Sequence, residues 1–335
     1  MLGFSSDSRT HSLNQFFLRR HDDRARLRWT GLCVLIGVAC AAVGAFPPVA
    51  HAGPSPETFI ALGKFNNDKG EYQTAVKMFD AAISLNPLDP SAFLNRANAY
   101  RGMGKPDRAI QDYNLAIVLN PLNPLTFIGR GKAYNDKGEF DLAIKDFDQA
   151  IKLNVFDANA FLNRGNSYRE LGKPDLALRD YDEAIKLSRT NSVAYINRGK
   201  VYNDTGQYDR AIQDFNEAIR LDANDGNAFL NRGNAHHAKG EAKLALADYN
   251  QAIKLNPHNF FAFLCRGNVY NEAGQYDLAV KDLDQAVKLN PNDGNSLRTR
   301  AKVYAARDAR QQAEHQTAEL KPARQTPGLF EAAAQ

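Results

Sequence analysis

Residues 158–191 read Ala-Asn-Ala-Phe-Leu-Asn-Arg-Gly-Asn-Ser-Tyr-Arg-Glu-Leu-Gly-Lys-Pro-Asp-Leu-Ala-Leu-Arg-Asp-Tyr-Asp-Glu-Ala-Ile-Lys-Leu-Ser-Arg-Thr-Asn. Moved by 34 positions in either direction, this stretch lands on a near copy of itself. With each repeat numbered from Pro56 onward, an aromatic residue or Leu stands at position 4: Phe59, Phe93, Phe127, Phe161, Tyr195, Phe229, Phe263 and Leu297. Position 8 is small, as at Gly63, Ala97, Gly165 and Ala301. Position 11 is mostly Tyr, as at Tyr100, Tyr134 and Tyr168. Position 15 is Gly from Gly70 to Gly274. Ala follows at position 20 (Ala75 to Ala279), then an aromatic residue or Leu four later and Ala seven later.

Steps of three and four place residues on one face of a helix. Positions 4, 8 and 11 therefore share a face, and so do positions 20, 24 and 27 beyond the Gly. Small residues let two helix backbones approach, and the rings fill the space beside them. The Gly ends the first helix. Pro106 and Pro174 stand where a second helix starts, a place that needs no backbone donor. Asp107, Asp141, Asp175, Asp209 and Asp277 fall in its first turn, where the helix dipole favours an anion. Pro87, Pro121, Pro257 and Pro291 are expected to stop it.

The pattern resembles the tetratricopeptide repeat, whose 34-residue aromatic-x₂-Leu-Gly-x₂-Tyr…Ala-x₃-Phe…Pro signature it follows copy after copy. The resemblance implies an all-α fold, a right-handed superhelical solenoid of antiparallel helix pairs. It covers seven full repeats over residues 56–292. Residues 293–320 keep Leu297, Ala301, Tyr304 and Ala313 but lose the Gly, and read as a degenerate eighth repeat with capping helices. Residues 321–335 read as a disordered tail.

Apolar residues make up 44% and charged residues 24% of the 335, ordinary values for a globular protein. The net charge is +4, and residues 1–52, with six Arg and three Asp, account for most of it. The repeats are close to neutral, which gives no case for nucleic-acid binding. Residues 1–52 run from a basic region through an apolar stretch, Trp29 to Phe46, to Ala50-His51-Ala52. That order reads as a signal peptide cut after Ala52, hence an exported, periplasmic or secreted protein. An uncleaved membrane anchor over 29–46 is the main alternative, and a membrane partner follows only in that case. Arg19-Arg20 and Gly37-Val38-Ala39-Cys40 match twin-arginine and lipidation signals poorly. Cleavage would leave Cys265 as the one thiol, so the fold is expected to need no disulfide.

Two departures from the family pattern stand out. At position 7, where the family carries Leu, Leu62 is followed by Arg96, Arg130, Arg164, Arg198, Arg232, Arg266 and Arg300. At position 23, Met78 is followed by Asp112, Asp146, Asp180, Asp214, Asp248 and Asp282. The apolar pair and the charged pairs switch together. They are expected to form a brace between the two helices of each repeat, Arg130–Asp146, Arg164–Asp180 and Arg198–Asp214 among them. The competing reading has these Arg residues bind a ligand. The second departure is a 68-residue alternation. Asn98, Asn166 and Asn234 stand at position 9 in even repeats, with Arg101, Arg169 and His237 at position 12. Odd repeats carry Lys64, Lys132 and Lys200 at position 9, with Asn268 as the exception. Duplication of two-repeat blocks would also produce this.

The resemblance implies that first helices line a concave face. Asn95, Asn163, Asn197 and Asn231 at position 6 then join the position-9 and position-12 residues there. An asparagine amide donates and accepts, so such a ladder matches a peptide backbone without reading side chains. The expected partner is an extended peptide or a protein, through Asn95, Asn98, Arg101, Lys132, Asn163, Asn166, Arg169, Asn197, Lys200, Asn231, Asn234 and Asn268. The plainer reading makes these Asn soluble groove residues. The Lys-based clamp for chaperone C-termini is absent, because position 5 is Ile or Leu throughout the seven repeats. No phosphate-binding Gly loop exists, His236, His237 and His258 lack zinc spacing, and no segment is left for a catalytic domain. Cys265 is read as a passive small residue. The expectation is a non-enzymatic interaction scaffold with no cofactor and no metal; a self-associating array and a regulatory subunit are the alternatives.

Overall fold

The computed structural model describes residues 53–319; the expected signal or anchor segment and the C-terminal tail lie outside the described residues. Each repeat is two antiparallel helices. The first helices are α1 (Pro56–Asp68), α3 (Pro90–Gly102), α5 (Pro124–Asp136), α7 (Ala158–Glu170), α9 (Ser192–Asp204), α11 (Gly226–Ala238) and α13 (Phe260–Glu272). The second helices are α2 (Tyr72–Leu85), α4 (Pro106–Leu119), α6 (Phe140–Leu153), α8 (Pro174–Leu187), α10 (Tyr208–Leu221), α12 (Ala242–Leu255) and α14 (Tyr276–Leu289). A final helix, α15, runs Gly294–Glu319.

Local chemistry sets these boundaries. Asp89, Asn123, Asp157 and their counterparts cap the first helices; Asp157 Oδ1 accepts from the Asn159 amide at 2.9 Å. The turn to the second helix needs a left-handed residue, which glycine adopts without strain. Gly172 supplies it, with φ 67°. Its neighbour Lys173 then donates its amide to the Tyr168 carbonyl at 2.9 Å, closing the end of α7. The second helices end alike with or without a following proline: Asn86 before Pro87 and Asn154 before Val155 are both extended. The expected proline stop is therefore not what ends them. Asn154 Oδ1 accepts from the Phe156 amide at 3.1 Å. Asn86 Oδ1 accepts from the Leu88 amide at 3.2 Å. The same side-chain turn leads the chain out of the second helix at Asn120, Asp222 and Asn256.

The core is a row of like clusters, one per joint. In one, Phe161 and Leu162 of α7 and Ala177, Tyr181 and Ala184 of α8 pack with Ala194 and Val201 of α9. Full burial of each such ring contributes about 2 kcal/mol, so every repeat depends on its successor. Neighbouring first helices touch one another, whereas no two second helices do among the described residues. First helices thus form a continuous wall on the tighter, concave side.

The eighth repeat differs from expectation. Residues 294–319 form one helix and not a capping pair. Asp308 stands where each earlier repeat has its turn Gly, so nothing there favours positive φ and the helix runs on. Arg310 Nη1 fastens it by donating to the Gly274 carbonyl at 2.9 Å. Among the described residues no helix is long and apolar enough to cross a membrane.

Candidate functional site

The Arg side chains at position 7 do not line an open ligand site. Arg164 donates from Nε and Nη2 to the two carboxylate oxygens of Asp180 at 2.8 and 2.7 Å. The same fork joins Arg96 to Asp112, Arg130 to Asp146, Arg198 to Asp214, Arg232 to Asp248 and Arg266 to Asp282. Sequence reading missed a third contact. Arg164 Nη1 reaches Asp148 of the preceding repeat at 2.6 Å, and the equivalent atom finds Asp80, Asn114, Asp182, Asn216 or Asn250 elsewhere. One guanidinium therefore ties three helices together. It also lies over two rings, 5.5 Å from the centroid of Phe161. The Tyr168 centroid is 5.9 Å away. Both are within the range of cation–π attraction. Burial pushes the Asp180 carboxyl above the usual carboxylate range even against the pull of Arg164, as expected for a desolvated pair that fixes geometry more than it stabilises. Leu62 and Met78 hold the matching positions in repeat one, with Leu62 exposed.

With these Arg accounted for, positions 6, 9 and 12 of the first helices remain. A hollow of ≈ 590 Å³ spans repeats two to five and is lined by Arg101, Lys132, Asn135, Asp136, Phe140, Asn163, Asn166, Arg169, Glu170 and Asn197. A second, of ≈ 490 Å³, shares Arg169 and Glu170 with it and adds Lys200, Asn203, Asp204, Asn231 and Asn234. Asn135, Asp136, Asn203 and Asp204 had not been assigned as contacts from sequence. Their signal was present at positions 12 and 13, where Asn and acidic residues recur. Asn95, Asn98 and Asn268 line neither hollow.

The asparagines are less free than a simple ladder supposes. Asn95, Asn163 and Asn231 donate one amide hydrogen to the carbonyl four residues back, at 2.6, 2.6 and 2.7 Å. Their Oδ1 and second hydrogen are unspent. Asn98, Asn166 and Asn234 accept the hydroxyls of Tyr113, Tyr181 and Tyr249 at 2.6, 2.8 and 2.9 Å and keep their amide donors. Burial pushes the Tyr113 hydroxyl up to about 12, which keeps it a donor at neutral pH. Asn197 corrects the expectation of an open ladder position: it is buried, 9% exposed, and donates to Asn166 Oδ1 at 2.9 Å. Asn268 faces Leu283 at position 24 in place of Tyr and has no such hydroxyl to accept.

The charges are arranged unequally. Arg101 lies 3.7 Å from Asp136, and Arg169 Nη2 lies 2.7 Å from Glu170. His237 pairs with Glu272 at 2.8 Å. Lys132 and Lys200 form no direct ion pair. Burial first, then the guanidinium of Arg101 or Arg169, holds each below the usual lysine range. Among the described residues no group of His, Cys, Asp and Glu is gathered to hold a metal.

Family models described as "Tetratricopeptide repeat" match residues 56–87, 90–123, 158–191, 180–213 and 260–293, and one described as "TPR repeat" matches 131–172, 199–240 and 233–272. This chain is a tetratricopeptide-repeat protein. The array resembles the crystal structure of the APC/C hetero-tetramer Cut9–Hcn1 at TM-score 0.64 and 19% identity, over 74% of this chain and 48% of that one. This tetratricopeptide-repeat chain thus spans about half the length of that relative. A tetratricopeptide repeat protein from Parabacteroides merdae matches at TM-score 0.60 and 22% identity, over 75% of this chain and 100% of the other. Pseudomonas aeruginosa pilF matches at TM-score 0.55 and 16% identity, over 62% and 94%. At these identities the likeness is one of fold. No curated protein matches this chain at a significant level. Tetratricopeptide-repeat proteins bind protein partners and are generally non-catalytic scaffolds.

Proposed function

We propose that this tetratricopeptide array is a non-enzymatic scaffold that holds an extended peptide segment of a partner protein against its first helices. One observation carries the reading. Donors and acceptors left unspent by the fold lie in two adjoining hollows that cross repeats two to six. Asn163 and Asn231 each offer an acceptor and a donor, and Asn166 and Asn234 each offer donors, at intervals set by the repeat. Evenly spaced amides suit the evenly spaced amides of an extended chain. The basic, apolar and small-residue order of residues 1–52 supports export, and the mass of the mature N-terminus tests that part.

Asn163→Ala with Asn231→Ala removes groove amides whose only bond in the fold is to their own helix. Pull-down with the full chain as bait compares this variant with the wild type, and circular dichroism checks that both are folded. Loss of the partner is expected. Full recovery of the same partner by the variant sinks the groove reading and favours a self-associating or end-on array.

A further inference from the structure

Lys132 and Lys200 are the groove groups that the fold itself does not use. They occupy position 9 in repeats three and five, where even repeats carry the Asn that accepts a Tyr hydroxyl. In their own repeats the facing ring is Phe147 or Phe215, which has no hydroxyl to satisfy. Packing therefore leaves position 9 free to carry a charge. Both lysines are half-buried in the hollows, and neither has a carboxylate in direct contact, although Arg101 and Arg169 beside them do. Arg101 adds a second unspent donor, because its Nε is buried without an acceptor. Each hollow thus holds one lysine that no carboxylate contacts directly.

The spacing of the two follows from packing. Neighbouring first helices touch. Their axes are therefore about 10 Å apart, and two repeats separate the lysines by about 20 Å. An extended chain covers that span in about six residues. We propose that the groove selects extended peptide segments carrying two carboxylates about six residues apart, one against Lys132 and one against Lys200. This rests on the groove reading above. It disfavours a densely charged polyanion such as nucleic acid, because Asp136, Glu170 and Asp204 line the same hollows. An incoming side-chain carboxylate also relieves the cost that burial and the neighbouring guanidinium impose on each ammonium.

The test is fluorescence anisotropy with the full chain and labelled synthetic peptides rich in Ser and Ala. One carries two Asp six residues apart, one carries two adjacent Asp, and one has Asn in both places. At low ionic strength the spaced di-Asp peptide is expected to bind about tenfold more tightly than the Asn peptide, with the gap closing as salt rises. Lys132→Met with Lys200→Met, which keeps the aliphatic stems, is expected to abolish that preference. Lys132→Arg with Lys200→Arg, which keeps the charge, is expected to retain it. Equal affinity for all three peptides overturns the inference and leaves the groove reading standing. Equal affinity for adjacent and spaced Asp overturns the two-point geometry. If no peptide binds, the groove reading falls and the inference with it.

Discussion

Tyr181 donates its hydroxyl to Asn166 Oδ1 at 2.8 Å, and this bond explains the 68-residue alternation. Where position 24 is Tyr, at 113, 181 and 249, position 9 is Asn; where it is Phe, at 79, 147 and 215, position 9 is Lys. Tyr181 is fully buried, so its hydroxyl requires a partner, and a lysine offers no acceptor. Duplication of two-repeat blocks accounts for the spacing, but the covariation has a physical cause.

Asn166→Lys on its own is therefore expected to destabilise the array by about 1–3 kcal/mol, because it strands a buried hydroxyl. Adding Tyr181→Phe restores the pair found in odd repeats and should recover most of the loss. Urea unfolding of both single variants and the double variant measures the coupling. If the double variant falls by the sum of its parts, the covariation has no energetic basis in this bond.

The brace invites a similar exchange. Asp180→Ala leaves Arg164, whose side chain is 19% exposed, with only Asp148 as a partner. A loss of about 2–4 kcal/mol is expected, since breaking a buried pair costs far more than never having had one. Arg164→Leu with Asp180→Met copies Leu62 and Met78 of repeat one. That double variant should lie within about 1 kcal/mol of the wild type. A double variant as unstable as Asp180→Ala would show that the third contact, to the preceding repeat, cannot be dispensed with.

The helix pairs could be read from sequence because the residues that form them repeat: Gly172 at the turn, Ala177 and Tyr181 in the core. The Arg164–Asp180 partnership could be read because both members switch together against Leu62 and Met78. The contact to Asp148 could not, since that place is Asp in some repeats and Asn in others with no regular order. The groove was legible only as a set of positions. Whether an Asn at position 6 faces a partner or a neighbour depends on position 9 of the preceding repeat: Asn197 meets Asn166, whereas Asn163 follows Lys132, which offers no acceptor. The single last helix was visible in principle as Asp308 in the place of a Gly.

Gly129 interrupts the position-6 asparagines for a steric reason. A Cβ there would lie 2.5 Å from Tyr113 Cε1, in a joint where Ala97 already occupies the neighbouring small position. The Tyr113 ring is fully buried. Gly129→Asn, which would extend the ladder into repeat three, is expected to cost about 2 kcal/mol through overpacking. Thermal unfolding followed by circular dichroism reads the change. An unchanged midpoint would mean that Tyr113 can move aside freely and that the gap in the ladder has another origin.

Cys265 occupies position 6 in repeat seven and packs beside Leu230, Ala245 and Tyr249. Burial pushes its thiol up to about 11. A raised thiol favours the folded state fully below the ordinary thiol range, and that contribution is lost as pH climbs from about 9 to about 11. At pH 8 the thiolate is scarce, so alkylation by iodoacetamide should run about a hundredfold slower in the folded chain than after unfolding in urea. Mass spectrometry of the peptide containing Cys265 separates it from Cys33 and Cys40. The folded rate should rise by about tenfold for each pH unit up to about 11. A folded rate equal to the unfolded one would place the sulfur in solvent.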